Sequence, residues 1–257
     1  MIPVAADPFP HLIAHRGGSD EAPENTYLAF QHAYDSGVRY LETDAQVTAD
    51  GVVVLNHDET VDRCYDGYGS IGDMTWDEIA DLRNEAGEQM PRLDEVLQLF
   101  PEYQINIDAK TDQVVDPLLE TLRDQDAFGR TLVASFSEKR LARVRELADP
   151  ELTTSLGMGA VVRLMLAAET VSSADTWRVE GPGQSVRAVQ VPEKWRGIRV
   201  VNPRLIATAH SAGIAVHVWT INEADHMVRL LDWGVDGIIT DRPTMLREIL
   251  RVRGQWA

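Results

Sequence analysis

Short β-branched runs alternate with amphipathic stretches along almost the whole chain. HLIAH (11–15), YLETDAQV (40–47), YQINIDAK (103–110), TLVASF (131–136), TTSLGM (153–158), SVRAVQV (185–191), AVHVWTI (215–221) and VDGIIT (235–240) read as strands. Apolar residues at helical spacing mark segments near 26–37, 93–100, 116–125, 138–148, 161–170, 203–213, 223–234 and 243–253. Eight strand–helix units without a linker predict an α/β chain folded as a (β/α)8 TIM barrel, with residues 1–257 as one domain. A doubly wound open sheet would give the same local alternation and is the alternative architecture.

The alternation is interrupted once. TADGVVVLNHD (48–58) contains a second extended run after Asp50-Gly51, a strong hairpin signal. Val52 to Leu55 should therefore fold back on the second strand rather than add a ninth staff to the barrel. The hairpin would return His57 to the rim that the chain had just left. Beyond it, residues 59–90 form an insertion between strand 2 and helix 2, long enough to be functional or to carry its own small structure.

Composition narrows the function classes. A net charge of −17 argues against a nucleic-acid partner, which needs a basic face. Any anionic ligand must be held by a local group of cations or by a metal. The one cysteine, Cys64, has no partner for a disulfide, which fits a reducing compartment. No run approaches a membrane span, so integral membrane association is not expected. The opening MIPVAADPFP lacks a basic leader and a signal-peptide apolar run, and a cytoplasmic enzyme is the expectation.

Strand alternation then sorts the side chains. Glu42 and Asp44 share one face of their strand, and Asn106, Asp108 and Lys110 share the inward face of the next, with Ile105, Ile107 and Ala109 outward. Two inward carboxylates demand a cation between them. Three acids at one rim suit Mg²⁺ or Ca²⁺; alternatively, Lys110 and Arg16 neutralise them in a buried ion-pair network. His15 ends the first strand and His57 ends the hairpin, so both should overlook one opening, where an imidazole pair can act as general base and general acid. Arg16 offers a planar fork to a phosphate and Lys110 a point charge. Trp219 could line a pocket or serve the core. His11, His32, His210 and His226 read as surface or packing residues, and His217 as a satisfied core histidine. No P-loop, GxGxxG fingerprint or serine nucleophile elbow is present.

HRGGSDEAPENTYLAF (15–30) and LETDAQVTADGVVVLNHDETVDR (41–63) together resemble the glycerophosphodiester phosphodiesterase family. The similarity continues through NIDAK, HVWTIN and GVDGIITDRP and covers most of the chain. The resemblance implies a (β/α)8 barrel that hydrolyses small-molecule glycerophosphodiesters to an alcohol and sn-glycerol 3-phosphate with one divalent cation, Mg²⁺ or Ca²⁺. It implies that His15 and His57 are the acid–base pair and that Glu42 and Asp44 ligate the metal. The third ligand of the family is usually glutamate; Asp108 stands there and is one methylene shorter. Arg16 and Lys110 match the phosphate-binding positions. Glu24 reads as an anchor for the Arg16 loop and Asn25 as the cap of the first helix, while Gly17 and Gly18 would leave room for phosphate beside the backbone. Two other readings are a sphingomyelinase D-like or phospholipase C-like lipid phosphodiesterase, and a non-catalytic barrel that binds phosphorylated metabolites. The PENT segment and the lack of an evident lipid-inserting loop speak against the first.

Overall fold

A computed structural model describes residues 9–256. The N-terminal reading of residues 1–8 and the outer limits of the single-domain assignment lie outside the described residues. The strands are β1 (His11–His15), β2 (Tyr40–Val47), β3 (Val53–Leu55), β4 (Gln104–Ala109), β5 (Thr131–Ala134), β6 (Thr153–Ser155), β7 (Val186–Pro192), β8 (Lys194–Trp195), β9 (Ile198–Arg199), β10 (Ala215–Trp219) and β11 (Gly237–Thr240). The helices are α1 (Tyr27–Asp35), α2 (Trp76–Ile79), α3 (Leu93–Leu99), α4 (Val115–Asp124), α5 (Glu138–Leu147), α6 (Met158–Glu169), α7 (Pro203–Ser211), α8 (Ala224–Trp233) and α9 (Pro243–Val252).

β1, β2, β4, β5, β6, β7, β10 and β11 pair in that order, all parallel, and β11 returns to β1 with Ile13 opposite Ile239. The sheet is closed. This excludes the open doubly wound alternative, which would leave two edges unpaired.

Period-2 alternation separates the two faces of the ring. Ile105 and Ile107 of β4 pack with α3 and α4 residues such as Leu97 and Leu118, and Val216 and Val218 of β10 pack with Leu205 of α7 and Leu230 of α8. The inward face carries a small apolar layer, Leu132, Ala134, Ala188 and Ala215. Above and beside this layer it becomes polar. Asn106, Gln190 and His217 form a chain in which Asn106 Nδ2 donates to Gln190 Oε1 at 3.3 Å and Gln190 Nε2 lies 3.4 Å from His217 Nδ1. His217 Nε2 has no hydrogen-bond partner among the described residues. The expectation of a fully satisfied core histidine is corrected accordingly; burial, with His11 nearby, depresses its pKa to about 3, so the ring is neutral.

β3 pairs antiparallel with the end of β2, Ala45 opposite Leu55 and Val47 opposite Val53, as the Asp50-Gly51 signal predicts. Gly51 takes φ +88° in the turn. The following insertion is not a bare loop. Val61, Tyr65, Ile71, Ile79 and Met90 bury themselves against Val54 in a small core of their own. Sequence reading passed over a second short hairpin, β8–β9, whose two-residue turn places Arg196 at φ +49° and Gly197 at φ +84°.

Candidate active site

The chain leaves β1 through His15 and turns sharply. Arg16, at φ +53°, directs its backbone N–H toward Glu42, donating to the carbonyl at 2.9 Å and to Oε2 at 3.2 Å. Gly17 and Gly18 follow at φ +87° and +101°. A Cβ on Gly17 would lie 2.7 Å from that of Ala29, and one on Gly18 would lie 2.8 Å from the Pro243 ring. The two glycines are thus required by packing against α1 and α9, a correction to the idea that they clear space for a phosphate.

The helix cap also differs from expectation. Thr26 is the N-cap of α1, its Oγ1 accepting from Ala29 N–H at 3.1 Å. Asn25 instead adopts φ +51°, which Asn tolerates better than most residues, and its side chain joins two strand residues. Nδ2 donates to Asp44 Oδ2 at 3.0 Å and Oδ1 accepts from Thr43 at 2.7 Å. Asn25 is a clamp on β2.

His15 Nδ1 lies 2.6 Å from Asp241 Oδ1, just past β11. Ser19 Oγ donates to the same Asp241 oxygen at 2.5 Å, and Asn222 Nδ2 to the other at 2.7 Å. This fixes the imidazole with its proton on Nδ1 and its Nε2 free to accept, 3.8 Å from Glu42 Oε2. Burial opposes a charge on the ring, but Glu42 and Asp241 outweigh it and raise the His15 pKa. Burial likewise disfavours the Asp241 charge, and the contacts from His15, Ser19 and Asn222 overcome it, holding the carboxyl near 2.

His57 is arranged in the same manner. Its Nδ1 lies 2.7 Å from Asp58 Oδ1, and Arg63 Nε donates to Asp58 Oδ2 at 2.6 Å. The Arg63 contact, assisted by His57, lowers Asp58 to about 2 against a smaller burial effect. Arg63 Nη2 continues to Glu24 Oε1 at 2.7 Å, and Arg16 Nη1 reaches that oxygen at 3.0 Å. Glu24 therefore anchors the Arg16 side chain, as its place beside the loop suggests. It also ties that loop to the segment carrying His57.

The acids are not equivalent. Asp44, buried, receives Lys110 Nζ at 2.7 Å and lies 3.2 Å from Arg16 Nε; burial works against its charge, but the two cations hold it below the usual carboxylate range. Asp108 Oδ2 accepts from Lys110 Nζ at 2.7 Å, yet burial still pushes its carboxyl upward. The ion-pair network foreseen as an alternative is present at these two acids. Glu42 is left with the Arg16 N–H and the distant His15. Burial and the neighbouring Asp44 push it up to about 7. Among the described residues no group of three or more acidic, histidine or cysteine side chains is gathered as a ready ion cage. Lys110 stands between two of the three acids. The donor chemistry still fits a hard divalent cation, because Glu42 is a buried carboxylate short of positive charge beside a second one.

His15, Arg16, Glu42, Asp44, His57, Asp108, Lys110 and Trp219 all line a single cavity of about 400 Å³ at the C-terminal ends of the strands. Asp241, Asn222, Ser19, Asp58 and Arg63 were missed by sequence reading. The TDRP segment after the last strand and the HD pair carried the signal: an acid next to a strand end or next to a candidate histidine.

Two histidines at this mouth, each backed by a carboxylate, stand where (β/α)8 enzymes carry their active sites. The sequence pattern of the glycerophosphoryl diester phosphodiesterase family matches residues 15–245. The chain belongs to that family and is a phosphodiester hydrolase. It is 36% identical over 245 residues to "Probable glycerophosphodiester phosphodiesterase 2" of Mycobacterium tuberculosis, covering 95% of this chain and 92% of the relative. It is 31% identical over 257 residues to a glycerophosphodiester phosphodiesterase of Caldanaerobacter subterraneus subsp. tengcongensis, covering 95% and 98%. The crystal structure of glycerophosphodiester phosphodiesterase from Agrobacterium tumefaciens superposes with a TM-score of 0.75 at 26% identity, covering 92% of this chain and 99% of that one. No helix among the described residues is long and apolar enough to cross a membrane.

Proposed function

We propose that this chain hydrolyses glycerophosphodiesters to an alcohol and sn-glycerol 3-phosphate by two-histidine acid–base catalysis, with one divalent cation, Mg²⁺ or Ca²⁺. The observation that carries the mechanism is the pairing of each cavity histidine with its own carboxylate, His15 with Asp241 and His57 with Asp58.

His15 Nε2 takes the proton of the glycerol 2-hydroxyl, whose oxygen attacks phosphorus. The bond from phosphorus to the alcohol breaks, and His57 gives that oxygen a proton. Water then opens the resulting cyclic phosphate; His57 takes its proton and His15 returns one to the 2-oxygen. Arg16, whose buried Nε makes no well-aligned hydrogen bond among the described residues, stabilises charge on the phosphoryl oxygens together with Lys110. Glu42, Asp44 and Asp108 are the residues that would hold the cation. When bound it supplies Lewis-acid charge at the phosphate. Trp219 at the end of β10 packs against the organic part of the substrate.

The test is turnover of glycerophosphocholine by chelator-treated protein, with Mg²⁺ and Ca²⁺ restored in turn and products followed by ³¹P NMR. Release of sn-glycerol 3-phosphate only with a cation is the expected result. With a lysophospholipid assayed in parallel, a cyclic phosphate accumulating on the lipid favours the sphingomyelinase D-like reading, and release of a phosphorylated headgroup the phospholipase C-like one. Thermal stabilisation by the diester without turnover leaves a binding barrel.

A further inference from the structure

The two cavity histidines are held in unlike ways. Asp241, behind His15, is gripped by Ser19 and Asn222 where the first and last strands close the ring. Asp58, behind His57, follows that histidine directly in the chain. The His57 and Asp58 side chains are 38% and 30% exposed, against 17% and 13% for His15 and Asp241. Neighbouring residues this open keep their own side-chain rotations, so the His57–Asp58 contact needs a third group to fix it.

Arg63 supplies that group. Its Nε donates to Asp58 Oδ2 at 2.6 Å and its Nη2 to Oδ1 at 3.3 Å. The same guanidinium meets both oxygens of Glu24, Nη1 donating to Oε2 at 3.0 Å and Nη2 to Oε1 at 2.7 Å. Arg16 Nη1 reaches Glu24 Oε1 at 3.0 Å. One planar fork thus spans the carboxylate behind His57 and the carboxylate behind Arg16. Its base is fixed as well. The N–H groups of Cys64 and Tyr65 turn back to the Val61 carbonyl at 3.2 and 2.9 Å, and Val61 and Tyr65 are buried on either side of it.

Arg63 is 48% exposed, and ion pairs of so open a side chain contribute little to stability. Paired donors on two carboxylates contribute alignment instead. Resting on the hydrolytic reading above, we propose that Arg63 is a positioning residue for departure of the alcohol. It holds the His57 ring at a set place relative to Arg16, so that the leaving oxygen meets a proton while the phosphate stays gripped. The alcohol then leaves past His57. Lysine keeps the charge but cannot meet each carboxylate with a pair of donors.

The experiment follows Arg63→Lys and Arg63→Gln, with His57→Ala alongside, on two diesters of sn-glycerol 3-phosphate with divalent cation present. One is glycerophosphocholine, whose alkoxide needs a proton to leave; the other is the p-nitrophenyl ester, whose phenolate leaves without one. Alcohol release is read in single turnovers, which keeps the later opening of the cyclic phosphate out of the measurement. Both Arg63 variants should slow choline release about 10- to 100-fold and p-nitrophenolate release about threefold or less. Their melting temperatures should stay within about 4 °C of the parent. Equal losses on the two esters, or parental rates in Arg63→Lys, would overturn the positioning role. If His57→Ala itself loses equally on both esters, the acid role of His57 fails, and the ring reports on Arg63 without turnover. The ¹⁵N resonances of the His57 imidazole, assigned by their loss in His57→Ala, should show the proton held on Nδ1 in the parent and a mixture of tautomers in both Arg63 variants. A ring unchanged in the variants would overturn the positioning role by itself.

Discussion

His15 and Asp241, 226 positions apart in the chain, meet at 2.6 Å where β1 and β11 close the barrel. The contact orients the ring and also sets its basicity. Asp241→Asn should therefore lower kcat by about 10²–10⁴, the range expected when a general base is lost or misdirected. Asp241 helps raise the His15 pKa, so its removal lowers that pKa. A base works above its pKa, and the acid limb of the kcat/KM profile should move to lower pH. An unmoved limb in the variant would refute the role.

The same carboxylate contributes to acid stability. Its pKa lies near 2 in the folded protein, below the ordinary aspartate value. The contribution is complete above about pH 4 and is lost as pH falls toward 2. Urea unfolding from pH 6 to pH 2 should show a shallower acid decline in Asp241→Asn than in the parent.

Alanine at either cavity histidine should cost about 10²–10⁴ in kcat, with thermal stability kept. Steady-state assays with circular dichroism melting curves decide this. Near-normal turnover in both variants would be incompatible with the two-histidine mechanism.

Lys110→Gln removes the ammonium that bridges Asp44 and Asp108, 2.7 Å from each. Breaking a buried pair in this way should cost about 3–5 kcal/mol in chemical denaturation. If these acids hold a cation together with Glu42, millimolar Mg²⁺ or Ca²⁺ should return part of the loss by mass action. No recovery with either ion would argue against the ligand set.

Gly17→Ala tests the turn after His15. A methyl group there meets Ala29 at 2.7 Å with φ at +87°. Overpacking and backbone strain together should cost about 2–4 kcal/mol, read from urea denaturation midpoints.

The barrel was legible because each strand buries both faces in different company. Ile105 and Ile107 meet helices while Asn106 and Asp108 face the cavity, and such alternation is written in the sequence. Residues that reach the site by closure of the ring were not. Nothing local to Asp241 or Asn222 shows that His15 lies beside them, because that contact exists only once β11 pairs with β1. Asn25 misled for a related reason: its composition suits a cap, but its side chain is used by β2. The β8–β9 hairpin is six residues long, Lys194 to Arg199, too short for a periodic signal, so it stayed hidden.

The ring does not need β3. β2 pairs with β1 and β4 through residues 40–45, and β3 joins only at Ala45–Val47. The segment it begins, with its own small core, carries His57 as a cassette mounted on a finished scaffold. Insertions and replacements within that cassette leave the barrel's hydrogen bonds intact. In the mechanism proposed above, one proton-transfer group and the exit path of the leaving alcohol can therefore diverge together, while the other half of the chemistry stays fixed where the first and last strands meet.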